Sequence, residues 1–314
     1  MTAARFDVTT RRRLSSMALI AALLASPGCS VKQMAVNSLT DVLGQAEVVY
    51  LSDEDPELIA GALPYQVKTI ETLLASNPDN PRLLLAATTA IVLYGYGFVE
   101  PEAERLEYVD FYRSEEIRLR AARLYVRAYR YGLHGLDVAH PGIAARLPIE
   151  PEAAAGELTA DDLALTVWTG AALGAAIGAA TDDPDLTVDI AVVGALLERA
   201  LELDEDYDDG LIQGFLFSYE IGRAGGSMEK ARKYYERALE LSGGKRCSLW
   251  LGWAESVSVP NQDRAEFDAL LTEVIDFDVD SYPEGRLLNI LAQRRAHWLQ
   301  SNADELFWQG GEGR

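Results

Sequence analysis

The chain is poor in the residues that fix chemistry at a point. It has two cysteines, Cys29 and Cys247, and three histidines, His134, His140 and His297. Two cysteines cannot form a disulfide framework. The histidines are too scattered to suggest a metal site. There is no HExxH, no glycine-rich phosphate loop following a strand, and no serine or cysteine nucleophile with local support. Glu115-Glu116 and Asp182-Asp183 are adjacent carboxylates, but neighbours on a helix do not face each other, so they read as solvated charge. No cofactor is implied, and the chain is not expected to be an enzyme. Strand-like alternation is missing throughout, which excludes a sheet.

Positive charge is also scarce. Against 49 Asp and Glu stand 28 Lys and Arg, for a formal charge of −21. Four arginines against one aspartate make the first 28 residues +3, which leaves the remainder at −24. Such a surface repels phosphate backbones and excludes nucleic acid as a partner. Hydrophobic residues at 49% and charged residues at 25% exclude wholesale disorder.

Residues 1–28 read as an address. Arg11 to Arg13 form a basic region, Met17 to Ala25 an apolar one, and Ser26-Pro27-Gly28 lead to Cys29. This resembles a bacterial lipoprotein leader, in which Cys29 becomes the lipidated first residue of the mature chain; plain secretion or an uncleaved anchor is the alternative. Lipid at Cys29 would be the sole membrane contact. Ser30 in place of aspartate favours the periplasmic face of the outer membrane. Cys247 is then a lone thiol and reads as small core filler.

Residues 29–314 are expected to form a single all-α domain. Val31 to Tyr50 reads as a first helix. Leu63, Val67, Ile70, Leu73 and Leu74 mark the next, which stops at Ser76-Asn77-Pro78-Asp79-Asn80-Pro81. Leu83 to Val99 and Leu163 to Ala180 carry no charge, so both are expected at the centre, surrounded by other helices. In the second, Gly170, Gly174 and Gly178 form a smooth stripe that allows close approach of another helix. A charged helix is expected from Glu102 to Tyr131, and a loop-rich segment from Gly132 to Gly156.

From Thr187 the chain becomes repetitive. Helix ends recur at Leu203-Asp204, Leu241-Ser242 and Phe277-Asp278, close to the tetratricopeptide (TPR) period of about 34 residues. Ala231 to Leu241, ARKYYERALEL, matches the second helix of such a unit. The architecture expected is one of helical hairpins, a TPR-like α-solenoid or bundle with two uncharged central helices.

Candidate ligand-binding residues are few. Tyr94, Tyr96 and Phe98 end one uncharged helix, Trp168 sits in the other, and Trp250 and Trp253 share a face of a third. They suit either core or an apolar pocket between helices. Gln293, Arg294 and Arg295 lie on the last amphipathic helix, with Arg295 inside the apolar arc. A buried guanidinium must be paired. Two readings stand: a salt bridge to a carboxylate such as Asp263 or Asp276, or a grip on an acidic ligand or partner.

These stretches resemble the TatT family, the T component of TPR-associated TRAP transporters. The resemblance rests on Leu74 to Leu85 with its NPDNP turn, WTGAALGAAIGAATDDPD from Trp168, LLERALELDEDYDDGLIQGFLFSY from Leu196, and AESVSVPNQDR with YPEGRLLNILAQRRAHWL near the end. It implies a periplasmic, all-helical lipoprotein, a homotrimer. Each subunit would hold or pass a small hydrophobic or carboxylated ligand through a cavity or pore, and would dock the extracytoplasmic solute receptor of a TRAP transporter. The alternative is a TPR-type scaffold lipoprotein for envelope assembly, without a small-molecule site.

Overall fold

The computed structural model describes residues 48–308; the proposed leader, Cys29 and most of the expected first helix lie outside them. The chain divides into Met1–Leu43 and Gly44–Arg314, and all described residues belong to the second unit. Among them every regular element is a helix.

Helix α1 (Pro56–Leu74) starts where Asp55 accepts a hydrogen bond from the Leu58 amide, with Pro56 in the first turn. Its apolar stripe, Ile59, Leu63, Val67, Ile70 and Leu74, is buried. Asn80 caps α2 (Pro81–Tyr94) by accepting from the Arg82 and Leu83 amides. The uncharged run then continues without a break through a π-helical turn, Gly95–Val99, into α3 (Glu100–Leu106).

The charged segment after it is not one helix. It breaks after Leu106 and restarts as α4 (Phe111–Ala139), because Asp110 accepts from the Arg113 amide and caps a new N-terminus. Helix α4 also runs through Gly132 and Gly135, where a loop is expected from composition. The glycines are spacers rather than breakers: a Cβ on Gly135 would lie 2.5 Å from a Leu165 methyl carbon. Only 143–146 and 151–155 are short helical turns in this region.

Helix α5 (Leu163–Ala179) is the hub, packed by α2, α4 and α6 (Ile190–Leu203). It buries Thr166 and Thr169 by letting their hydroxyls donate to the Asp162 and Leu165 carbonyls. Gly170 and Gly174 admit Leu197 and Val193 of α6, whereas Gly178 has no neighbour within 4 Å of where its Cβ would be. By length and composition 81–106 and 160–179 could each cross a membrane, but 56% and 67% of their most apolar stretches are buried in the fold, which makes them core helices. Fully burying a Leu or Ile such as Leu83, Leu84 or Ile91 contributes about 1.5–3 kcal/mol each.

Helices α7 (Leu211–Gly222) and α8 (Met228–Ser242) pack against one another. Ala231 and Ala238 are fully buried on α8, as the repeat-like spacing predicts. Helix α9 (Cys247–Trp253) passes into a second π-helical turn, Ala254–Ser258, and α10 (Arg264–Asp276) and α11 (Arg286–Ser301) complete the three helices expected there. Cys247 is buried in the core cluster of these helices. The last helix returns to the first: Arg294 pairs with Glu57 at 2.6 Å, and Arg286 donates to the Ser52 carbonyl.

Candidate functional site

Both π-helical turns sit where the end of the array meets its beginning. A π turn inserts one residue into an α-helix and re-aims the residues beyond it, a distortion frequent at functional sites. The first is held by contact with Tyr125 of α4, whose ring lies so close that a Cβ on Gly95 would be 2.5 Å from its Cε1 and 2.7 Å from its Cζ. It aims Glu100 and Glu104 of α3 inward. The second carries Glu255.

Between them stands Arg295. Its Nε and Nη2 donate to Glu255 Oε1 at 3.0 and 2.5 Å, and its Nη1 pairs with Glu104. The guanidinium also lies over the Trp298 ring, 4.7 Å from the centroid. The arginine side chain is 19% exposed. Burial alone would lower its pKa, but Glu255 and Glu104 hold it above the ordinary value. The partner is thus neither Asp263 nor Asp276, the carboxylates nearest in the sequence pattern. Asp263 is occupied as the N-cap of α10, and Arg295 instead spans two elements separated along the chain.

Around this ion triad lies a cavity of about 300 Å³, at the small end of ligand pockets. Glu100, Ala103 and Glu104 line one side, with Glu107, Tyr108 and Arg118 beyond. Gly178 and Ala179, at the end of α5, line a second side; Glu255, Val259, Arg295, Trp298, Leu299 and Leu306 complete it. Four carboxylates therefore face two guanidiniums. Arg118 is engaged by Glu115 at 2.6 Å and Glu107 at 3.6 Å.

Glu100 has no ion pair among the described residues. Burial pushes its carboxyl up to about 7, against the opposing pull of Tyr125, Arg295 and Arg118. Glu104 is likewise pushed up to about 7 by burial, despite its pairing with Arg295, because Glu255, Glu100 and Glu107 repel its charge. The Tyr125 hydroxyl is fully buried and closes no hydrogen bond. It is near enough to Glu100 for each to perturb the other: burial first, then that carboxylate, drive the phenol pKa upward. Tyr96 shares the field of Glu255, Glu100 and Glu104, and desolvation raises it to about 12. Half its surface is nonetheless accessible.

The sequence-selected residues are dispersed. Arg295 lines the cavity and Tyr96 stands close to its charges, whereas Arg294 lies on the outer face against Glu57. Gln293 donates to the Val274, Ile275 and Phe277 carbonyls and closes the C-terminus of α10. Trp253 is buried 5.9 Å from Phe217 and 4.4 Å from Tyr235, under the Arg232 guanidinium. Trp250 packs on Phe277, Trp168 on Phe215, and Tyr94 on Phe98 while accepting from Arg120. Sequence reasoning missed Glu100, Glu104, Tyr125 and Glu255. The available signal was a glycine pair flanking Tyr96 in a charge-free helix that ends on Glu100-Pro101. Among the described residues no group of His, Cys, Asp and Glu is arranged to hold a metal.

A family model described as TRAP transporter T-component, TAtT, matches residues 52–307. The chain is 30% identical, over 311 aligned positions, to an uncharacterized protein of Treponema pallidum strain Nichols; the alignment covers 91% of this chain and 95% of the relative.

Proposed function

This chain belongs to the TRAP transporter T-component family, and from that premise we propose that it holds a small ligand in the cavity around Arg295 and docks the extracytoplasmic solute receptor of its transporter. Membership places the chain with the other components of a TRAP transporter. The observation that carries the ligand half is the cavity itself, lined by α3 and by Glu255 of the second π turn and bordered by a partly buried ion triad. A scaffold without a small-molecule site would have a filled interior there.

The docking half is supported by an exposed apolar edge. Tyr108, Val109, Phe111 and Tyr112 are 57–84% exposed, and Tyr108 also lines the cavity. A contiguous apolar patch of this kind is characteristic of an interaction surface. A receptor seated on it would lie beside the opening. Lipid at Cys29, suggested by the leader pattern, and a periplasmic location and homotrimer, implied by the family resemblance, complete this reading.

The test is a titration of the purified chain with its cognate receptor, before and after substitution on this edge. Binding at micromolar concentration, weakened by Tyr112→Ala, is expected. Folded partners that do not associate at about 100 μM overturn the docking role.

A further inference from the structure

Nothing in the charge of this cavity suits the carboxylated ligand that the sequence left open. The hydrogen-bonding nitrogens of Arg295 are already turned to Glu255 and Glu104, and its flat face is on Trp298. A ligand carboxylate could take Arg295 only by stripping a partly buried glutamate of its partner. Arg118 is held in the same way by Glu107 and Glu115.

The unmatched groups are negative or hydrogen-bonding. Glu100 faces the cavity without a cation. Behind the lining, the fully buried Tyr125 hydroxyl lies close enough to that carboxylate for each to shift the other's pKa. Gly178, exposed at the end of α5, also lines the cavity and a Cβ there would meet nothing within 4 Å, while Val259 and Leu299 add apolar lining.

We infer that the cavity takes an organic cation, an ammonium group on a short apolar body, with the ammonium at Glu100 and the body against Gly178, Val259 and Leu299. This rests on the cavity being a ligand site. The ammonium N–H groups donate to the Glu100 carboxylate, a charge-assisted bond stronger than a neutral one. A ligand cation brings the excess of carboxylates over guanidiniums closer to balance. An inorganic cation is a poorer occupant, because no metal-holding cluster is present among the described residues.

The experiment is isothermal titration calorimetry of the full mature chain at about pH 8, where Glu100 is mostly ionised, with three probes of one length: hexylammonium, hexanoate and hexanol. Hexylammonium is expected to bind at least about tenfold more tightly than the other two. Glu100→Gln, which keeps the shape and removes the charge, is expected to weaken hexylammonium at least about tenfold and leave hexanol unchanged. Circular dichroism establishes that the variant is folded. Equal or tighter binding of hexanoate or hexanol overturns the cation assignment and keeps the cavity as a ligand site. An unchanged hexylammonium affinity in Glu100→Gln overturns it too, and so does absence of hexylammonium binding up to about 10 mM. Receptor titration decides docking independently of all three.

Discussion

Replacing Glu100 with glutamine should stabilise the protein, and only at neutral to alkaline pH. The glutamate carboxyl is raised from an ordinary 4.5 to about 7 by burial, with Tyr125, Arg295 and Arg118 only partly compensating. A folded-state pKa above the unfolded value means that the native state holds its proton more tightly. Stability from this group is therefore complete below about pH 4.5 and is lost as pH rises through about 7. That interval, at about 1.4 kcal/mol per tenfold change in the proton equilibrium, has a ceiling of about 3.5 kcal/mol, nearly all of it expressed by about pH 8. A buried amide short of partners cancels about 1 kcal/mol of this. Glu100→Gln should thus be about 2 kcal/mol more stable than the parent at pH 8 and no more stable at about pH 5. Urea unfolding followed by circular dichroism at both values measures the difference, from which titration elsewhere, Glu104 included, largely cancels. Parallel stability curves for the two proteins across this range would show that Glu100 is not held in a desolvated, unpaired state.

Other substitutions probe the surroundings. Arg295→Met leaves Glu104 and Glu255 without their shared cation and, these carboxylates being partly solvated, should cost about 1–3 kcal/mol in chemical unfolding; adding Glu255→Gln should recover part of that loss, and no recovery would refute the pairing. Gly95→Ala places a Cβ 2.5 Å from the Tyr125 ring and should destabilise by about 1–3 kcal/mol, measurable as a lowered melting temperature. Gly178→Leu meets nothing within 4 Å at its Cβ. It should keep or raise stability by up to about 1 kcal/mol, while calorimetry shows loss of hexylammonium binding. Tyr112→Ala together with Val109→Ser should weaken receptor binding by about 2 kcal/mol without moving the melting temperature.

Sequence and structure diverge most clearly at Arg295. Its position in the apolar arc of α11 comes from a spacing of about 100° per residue, and burial with a carboxylate partner comes from the cost of an unpaired charge. The identity of the partners is not contained in either. Glu255 lies 40 residues away, and Glu104 belongs to the first half of the chain. Trp253 is the opposite case, an aromatic equally suited to core or ligand by spacing, which Phe217, Tyr235 and Arg232 enclose completely.

By itself the sequence determined the all-helical class, the two charge-free core helices, most of the helix starts and stops, and the family. All of these are written in relations a few residues long, because an α-helix closes its hydrogen bonds over four residues and its caps over three. It misplaced the break at Asp110 and the end of α4, where one side chain capping an amide and two glycines pressed against α5 outweighed composition. Only the tertiary structure decided that Arg295 of α11 joins Glu255 of the second π turn to Glu104 just beyond the first, and that Glu100 is left without an ion pair beside the buried Tyr125 hydroxyl. The reason is distance along the chain: burial and charge balance at that point are set by helices α3, α4, α5 and α11 together, and no local spacing encodes their meeting.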